Sequence, residues 1–290
     1  MFTGVLTALV TPFRRGALDE ESLRALVEDQ IANGIDGLVP VGTTGESPTL
    51  TFEEHIRVIE VVVQATAKRV PVVAGTGSNS TKEAIELSVA AKKVGCDGFL
   101  QVTPYYNKPS QEGLYRHFKE IAAACPLPTI VYNVPGRTGC DLLPETIARL
   151  SEIPEIVGVK EATGSALSAS QVLSRVPERV AVLSGDDATV FPCYALGFKG
   201  VISVVSNVAP ADMAEMWDAA AAGKWDRARE LHFKLLPLSE GLFIEANPVP
   251  VKSALAMMGR IADELRAPLY PLAGPNREKV RGFMATVGLL

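Results

Sequence analysis

Ile156-Val157-Gly158-Val159-Lys160-Glu161-Ala162 reads as a strand that is apolar for four residues and then carries a lysine. Alternation puts Lys160 on the same face as Ile156 and Gly158. A run this apolar belongs in a sheet whose outer face is covered by helices. The flanking sequence repeats the pattern. Upstream lie VLTALVTP from Val5, GLVPVG from Gly37, PVVAGTG from Pro71, GFLQVTP from Gly98 and PTIVYNVP from Pro128; downstream lie VAVLSGDD from Val180 and GVISVVSN from Gly200. Each is followed by a stretch of helical period, as in DEESLRALVEDQIANG from Asp19. Eight such units close a barrel, so the expected fold class is α/β, a (β/α)8 TIM barrel.

Local chemistry agrees with the period. Ser80 is placed to cap TKEAIELSVAAKKVG, with Glu83 three residues on and Gly95 after its end. After about residue 224 the strand signal stops, and DRARELHFKLLPLSEGLF, VKSALAMMG and REKVRGFMATVG read as helices separated by Pro and Gly. The expected organisation is a catalytic barrel over 1–224 and a small helical C-terminal domain over 225–290.

A chain of 290 residues that is 47% hydrophobic buries a large core. With 28 Lys+Arg against 33 Asp+Glu it has no basic field to hold phosphate backbones, so nucleic acid is not expected as a partner. Cys96, Cys125, Cys140 and Cys193 form no C-x-x-C pair, which fits a reducing cytoplasm better than a disulfide framework or zinc site. The apolar Val5–Val10 stretch precedes Arg14 and Arg15, the reverse of a signal peptide's order, and no apolar run approaches the roughly 18 residues that span a bilayer.

In such barrels the working groups sit at the C-terminal strand ends. Strand two ends in Gly42-Thr43-Thr44-Gly45-Glu46, whose N–H groups and hydroxyls can hold a carboxylate, although the same residues also make an ordinary turn. Lys160 points inward. Desolvation lowers the pKa of such a lysine and supplies the neutral amine that attacks a ketone; the competing reading is an ion pair with Glu161 or Asp186. Strand five ends in Tyr132 through Gly139, offering a phenol for proton transfer and, in Arg137, a fork suited to a carboxylate. Tyr105, Tyr106 and Asn107 follow strand four, either lining a pocket or meeting an interface. His55, His117 and His232 lie on expected helices without metal spacing and are placed on surfaces or at interfaces. No G-x-G-x-x-G or Walker lysine is present, so no nucleotide cofactor is expected.

In order along nearly the whole chain, GTTGES at Gly42, VTPYYNKPSQEGLY at Val102, YNVPGRTGCDLLPET at Tyr132, VKEATG at Val159 and LSGDD at Leu183 resemble the pyruvate-dependent class I aldolases. That family includes N-acetylneuraminate lyase and dihydrodipicolinate synthase, and the motifs are more similar to the synthases. The resemblance implies condensation of pyruvate with L-aspartate 4-semialdehyde to 4-hydroxy-tetrahydrodipicolinate, the step committed to diaminopimelate and lysine, with no metal or organic cofactor. It implies that Lys160 forms an imine with pyruvate while Tyr132, Thr43 and Tyr106 relay protons, Tyr106 reaching in from a neighbouring subunit. By the same resemblance Thr43 and Thr44 bind the pyruvate carboxylate, Gly185 and Ile202 line its pocket, and Arg137 holds the semialdehyde's carboxylate. The alternatives are a relative acting on 2-keto-3-deoxy sugar acids and a non-catalytic barrel that binds a keto acid. Arg137 favours the synthase, because a short acidic aldehyde suits a forked cation whereas sugar acids need hydroxyl-pairing groups.

The resemblance further implies a homotetramer made of two tight dimers and a regulatory lysine site at Ser47, Pro48, Phe52, His55, Asn79, Glu83 and Tyr105. Phe52 stands where lysine-sensitive members carry a histidine, and Pro48 replaces a smaller residue, so the shape of that site is altered.

Overall fold

The structure, a computed structural model, describes residues 2–290. Eight strands, β1 (Gly4–Ala8), β2 (Gly37–Val39), β3 (Val73–Gly75), β4 (Gly98–Val102), β5 (Thr129–Asn133), β6 (Ile156–Glu161), β7 (Ala181–Ser184) and β8 (Gly200–Ser203), run parallel in the order β2-β1-β8-β7-β6-β5-β4-β3. A parallel bridge between Leu38 and Val72 joins β2 to β3 and closes the ring. The expected (β/α)8 barrel is what forms.

Each strand is followed by its helix: α1 (Glu20–Ala32), α2 (Phe52–Thr66), α3 (Thr81–Lys93), α4 (Gln111–Ala124), α5 (Pro144–Leu150), α6 (Ala166–Leu173), α7 (Val190–Leu196) and α8 (Pro210–Ala221). Side chains start these helices. Asp19, Ser80, Ser110 and Ser165 each accept a backbone N–H at an N-terminus, and Thr51 with Glu54 forms a full capping box on α2. Then follow α9 (Trp225–Gly241), α10 (Val249–Met257) and α11 (Gly274–Thr286), with α9 packed along α8.

Alternation along the strands builds two cores. Leu6, Val39, Val73, Leu100, Ile130 and Ile202 fill the barrel interior, while the opposite faces, such as Val5, Leu38 and Val131, pack against the helices. Inward residues at the closed end exclude water, and those at the C-terminal strand ends are left to form a cavity.

Two expectations are corrected. His55 and His117 are not surface residues; each is only 5% exposed, with His55 Nε2 2.8 Å from the Gly75 carbonyl and His117 Nδ1 2.9 Å from the Thr81 hydroxyl. Imidazole fills buried space under the helices once one ring nitrogen finds a partner. The run GLVPVG keeps strand geometry only to Val39, because Pro40 has no N–H for the ladder and Val41 turns to φ 51°. One feature has no counterpart in the sequence reading, a two-residue antiparallel pair, Phe13–Arg14 with Ala17–Leu18, between β1 and α1. Among the described residues no helix is long and apolar enough to cross a membrane.

Candidate active site

The C-terminal ends of the strands surround a cavity of about 380 Å³ lined by Thr43, Thr44, Tyr132, Arg137, Lys160 and Gly185. The strand ladder brings them together. Tyr132 pairs with Lys160 across β5 and β6, and Lys160 pairs with Leu183 across β6 and β7, so the three ends lie level.

Lys160 is buried, with its Nζ 4.2 Å from the centre of the Tyr132 ring. Burial pushes its pKa down to about 7; the carboxylate of Asp187 pulls it up and the charge of Arg137 adds to the fall. The ion-pair reading fails. Among the described residues Lys160 makes no salt bridge, and Glu161 points to the opposite face, where it accepts the Thr163 N–H at 2.9 Å and lies 3.5 Å from Asn133 Nδ2. The carboxylate whose field reaches the amine is that of Asp187, anchored by the N–H groups of Val204 at 2.8 Å and Val205 at 3.0 Å. At pH 7 an amine of pKa about 7 is half neutral, whereas one at 10.5 is neutral in only about 3 molecules in 10,000.

Tyr132 is also buried, which pushes its phenol up to about 12, while the nearby Arg137 charge and a hydrogen bond with Thr43 act to lower it. The phenol therefore holds its proton and can donate it. Arg137 sits on a short helical turn, Pro135–Thr138, rather than in open loop, and is not ion-paired among the described residues.

Gly185 has no room for a side chain. A Cβ there would stand 2.6 Å from Ala162 Cβ and 3.0 Å from Lys160 Cε. Gly45 is likewise required, since a Cβ would come within 2.8 Å of the Val41 nitrogen where the chain turns sharply with Gly45 N–H donating to Gly42 O at 3.1 Å. Ile202 is placed in the barrel interior with 1% exposure and does not line the cavity. Tyr106 is 88% exposed at φ 74°, and its ring lies outside its own chain's cavity.

Sequence reasoning missed how the threonine turn is held. Asn247 Nδ2 donates to Thr44 Oγ1 at 2.9 Å, and Thr11 Oγ1 donates to Gly45 O at 2.7 Å. Glu46, at φ 56°, receives the Arg266 N–H on one oxygen at 3.0 Å and Lys252 Nζ on the other. Lys252 is fully buried and also donates to Thr11 O at 2.8 Å. A signal was available: Lys252 interrupts the apolar run Val249-Pro250-Val251-Lys252-Ser253-Ala254-Leu255, much as Lys160 interrupts its own.

Beside the first cavity lies a second, of about 540 Å³, lined by Ser47, Pro48, Phe52, His55, Glu83 and Tyr105. Thr43 and Arg137 face both cavities. Asn79 is outside the lining and donates Nδ2 to Tyr105 O at 3.1 Å, while Glu83 accepts from the Ser78 hydroxyl.

Fold and cavity together define a (β/α)8-barrel enzyme built around a buried amine. Residues 1–286 match the dihydrodipicolinate synthetase family, and the chain belongs to that family. It is 58% identical, over the full length of both chains, to a 4-hydroxy-tetrahydrodipicolinate synthase of Geotalea uraniireducens. Among solved structures it resembles the chloride-inhibited dihydrodipicolinate synthase of Acinetobacter baumannii complexed with pyruvate, with TM-score 0.98, 48% identity and full coverage of both chains. It also resembles a structure described as the first monomeric dihydrodipicolinate synthase variant, with TM-score 0.98 and 44% identity over 100% of this chain and 98% of that one.

Proposed function

We propose that this chain is a lyase that condenses pyruvate with L-aspartate 4-semialdehyde through an imine on Lys160, giving 4-hydroxy-tetrahydrodipicolinate on the route to diaminopimelate and lysine. The observation that carries the reading is the buried, unpaired Lys160 with a pKa near 7 in a cavity that also presents a cation, a phenol and the threonine turn.

The neutral Lys160 nitrogen attacks the ketone carbon of pyruvate, whose carboxylate is held by Thr43 and Thr44. Loss of water needs a proton delivered to the leaving oxygen, and Tyr132, protonated and linked to Thr43, is placed to give it. The protonated imine then acts as an electron sink: the pyruvate methyl group loses a proton, the resulting enamine carbon attacks the aldehyde carbon, whose oxygen takes up a proton, and the amino nitrogen of the aldehyde substrate, as the free amine, then closes the ring on the imine carbon and expels the Lys160 nitrogen. Gly185 leaves Lys160 free to present the imine, and Arg137 holds the carboxylate of the aldehyde.

Borohydride added with pyruvate is expected to leave a stable mass on the peptide containing Lys160; label on another peptide, or none, overturns the reading. The rate of trapping should climb with pH through about 7. The sign follows from the amine: below that value it is an unreactive ammonium, above it the nucleophile predominates. A profile still climbing steeply above pH 9 would mean an ordinary lysine.

The relay is completed by Tyr106 from a neighbouring copy, a role supported by the exposure of that ring and its absence from its own cavity. The expected assembly is a homotetramer of two dimers. Leu167 on α6 and Leu196 on α7, exposed by 68% and 44%, offer an apolar face for the second contact. The four free cysteines support work in a reducing cytoplasm. The second cavity is the proposed site for regulatory lysine, with Glu83 as partner for an ammonium and Phe52 and Pro48 reshaping its wall. Calorimetry should register heat on lysine addition, and Glu83→Gln should remove it; unchanged heat in that variant would reject the assignment.

A further inference from the structure

Thr44 lines the cavity beside Lys160, only 3% exposed, and its hydroxyl is met by a group from far along the chain. Asn247, in the connection between α9 and α10 and 203 residues from Thr44, donates Nδ2 to Thr44 Oγ1 at 2.9 Å. An amide nitrogen can only donate, so Thr44 Oγ1 is the acceptor in this contact and its own proton must point elsewhere. Among the described residues no protein group receives that proton. Asn247 is itself 5% exposed and lines the same cavity, and its Oδ1 is shut off from water with no hydrogen bond among the described residues. The side chain's one polar attachment there is therefore Thr44. A buried amide with one end unpaired disfavours folding, so stability does not account for the contact, and its effect lies on the hydroxyl.

A free threonine hydroxyl turns about its C–O bond and can present either its proton or a lone pair. To a carboxylate the first is attractive and the second repulsive. We infer that Asn247 is a positioning residue for the keto acid: by occupying the Thr44 oxygen as an acceptor, it leaves the hydroxyl proton directed at the carboxylate of pyruvate. The segment beyond the barrel strands thereby takes part in binding the first substrate, through a residue that need not touch it. The inference rests on the proposed condensation, in which Thr43 and Thr44 hold that carboxylate, and adds what sets the direction of the bond.

The competing view is that Asn247 merely ties the α9–α10 connection to the barrel. A double-substitution cycle separates the two. In initial-rate kinetics Asn247→Leu should raise KM for pyruvate about threefold to tenfold, the loss typical of one hydrogen bond, with kcat held within about twofold. Thr44→Val, which exchanges the hydroxyl for a methyl group, should raise it by a similar factor. Adding Asn247→Leu to Thr44→Val should then change KM by less than about twofold, because the group through which Asn247 acts is already gone. Asn247→Asp keeps the size but reverses the bond, since a carboxylate accepts the Thr44 proton, and its KM for pyruvate should exceed that of Asn247→Leu. KM for L-aspartate 4-semialdehyde should move less than about twofold in each variant. Factors that multiply in the double variant, an unmoved KM for pyruvate, or a fall in kcat alone overturns the inference. If Asn247→Leu does not fold, the smaller Asn247→Ala carries the same cycle with the same criteria. A wild type that fails to trap pyruvate with borohydride would instead sink the condensation itself, and that failure is read in a separate assay.

Discussion

Lys160→Met should lose at least about a thousandfold in kcat/KM, a barrier increase of about 4 kcal/mol or more, and should take up no mass from pyruvate and borohydride. The side chains have similar length and shape, so the change removes the amine and little else. Among the described residues no second amine lines the cavity, and Arg137 cannot substitute because a guanidinium stays protonated. The same variant should be at least as stable as the wild type at neutral pH. Folding depresses this lysine's pKa from 10.5 to about 7, so between those values the unfolded chain binds the proton that the folded chain releases. The resulting cost to stability, on the order of 5 kcal/mol, is complete below about pH 7 and fades as pH rises towards 10.5. Methionine abolishes it. Denaturant unfolding at pH 7 and pH 10 should show the variant's advantage shrinking at the higher pH; a variant that is inactive because it is unfolded would reject this account.

Lys252→Met should do the opposite, lowering stability by about 3–5 kcal/mol. Lys252 and Glu46 are both almost inaccessible to water, at 0% and 1% side-chain exposure, and they neutralise each other. Removing the cation leaves Glu46 as a buried charge whose one remaining side-chain hydrogen bond among the described residues is from the Arg266 N–H. The double variant Lys252→Met with Glu46→Gln should recover much of the loss, because no charge then remains unpaired. Since Glu46 ends the turn that carries Thr43 and Thr44, Lys252→Met should also raise KM for pyruvate while Lys160 remains competent for trapping. Guanidinium unfolding and initial-rate kinetics read the two effects separately, and a single variant as stable as the wild type would show that the pair contributes nothing.

The contrast between these lysines marks how far local sequence reaches. Both interrupt apolar runs, and both are buried. Lys160 is legible because alternation along β6 assigns its direction and the barrel assigns its end. Lys252 lies on α10, where the same interruption has no fixed meaning until its partner is known, and Glu46 is 206 residues away in the chain. Asn247 on Thr44 and the field of Asp187 on Lys160 are long-range in the same sense. The buried histidines escaped for a related reason: a polar ring looks like surface until a particular carbonyl or hydroxyl is brought to it.

Period, caps and glycines are properties of neighbouring residues, so the sequence by itself determined the eight βα units, the inward face of each strand and the group of residues at the strand ends. Which charges meet in the low-dielectric interior is a property of the closed barrel. Only the tertiary structure decided that Lys160 stands without an ion-pair partner among the described residues, that Lys252 has one, and that Arg137 and Lys160 line one cavity. Electrostatic energy depends on distance through space, and local pattern carries no record of that distance until the chain has folded.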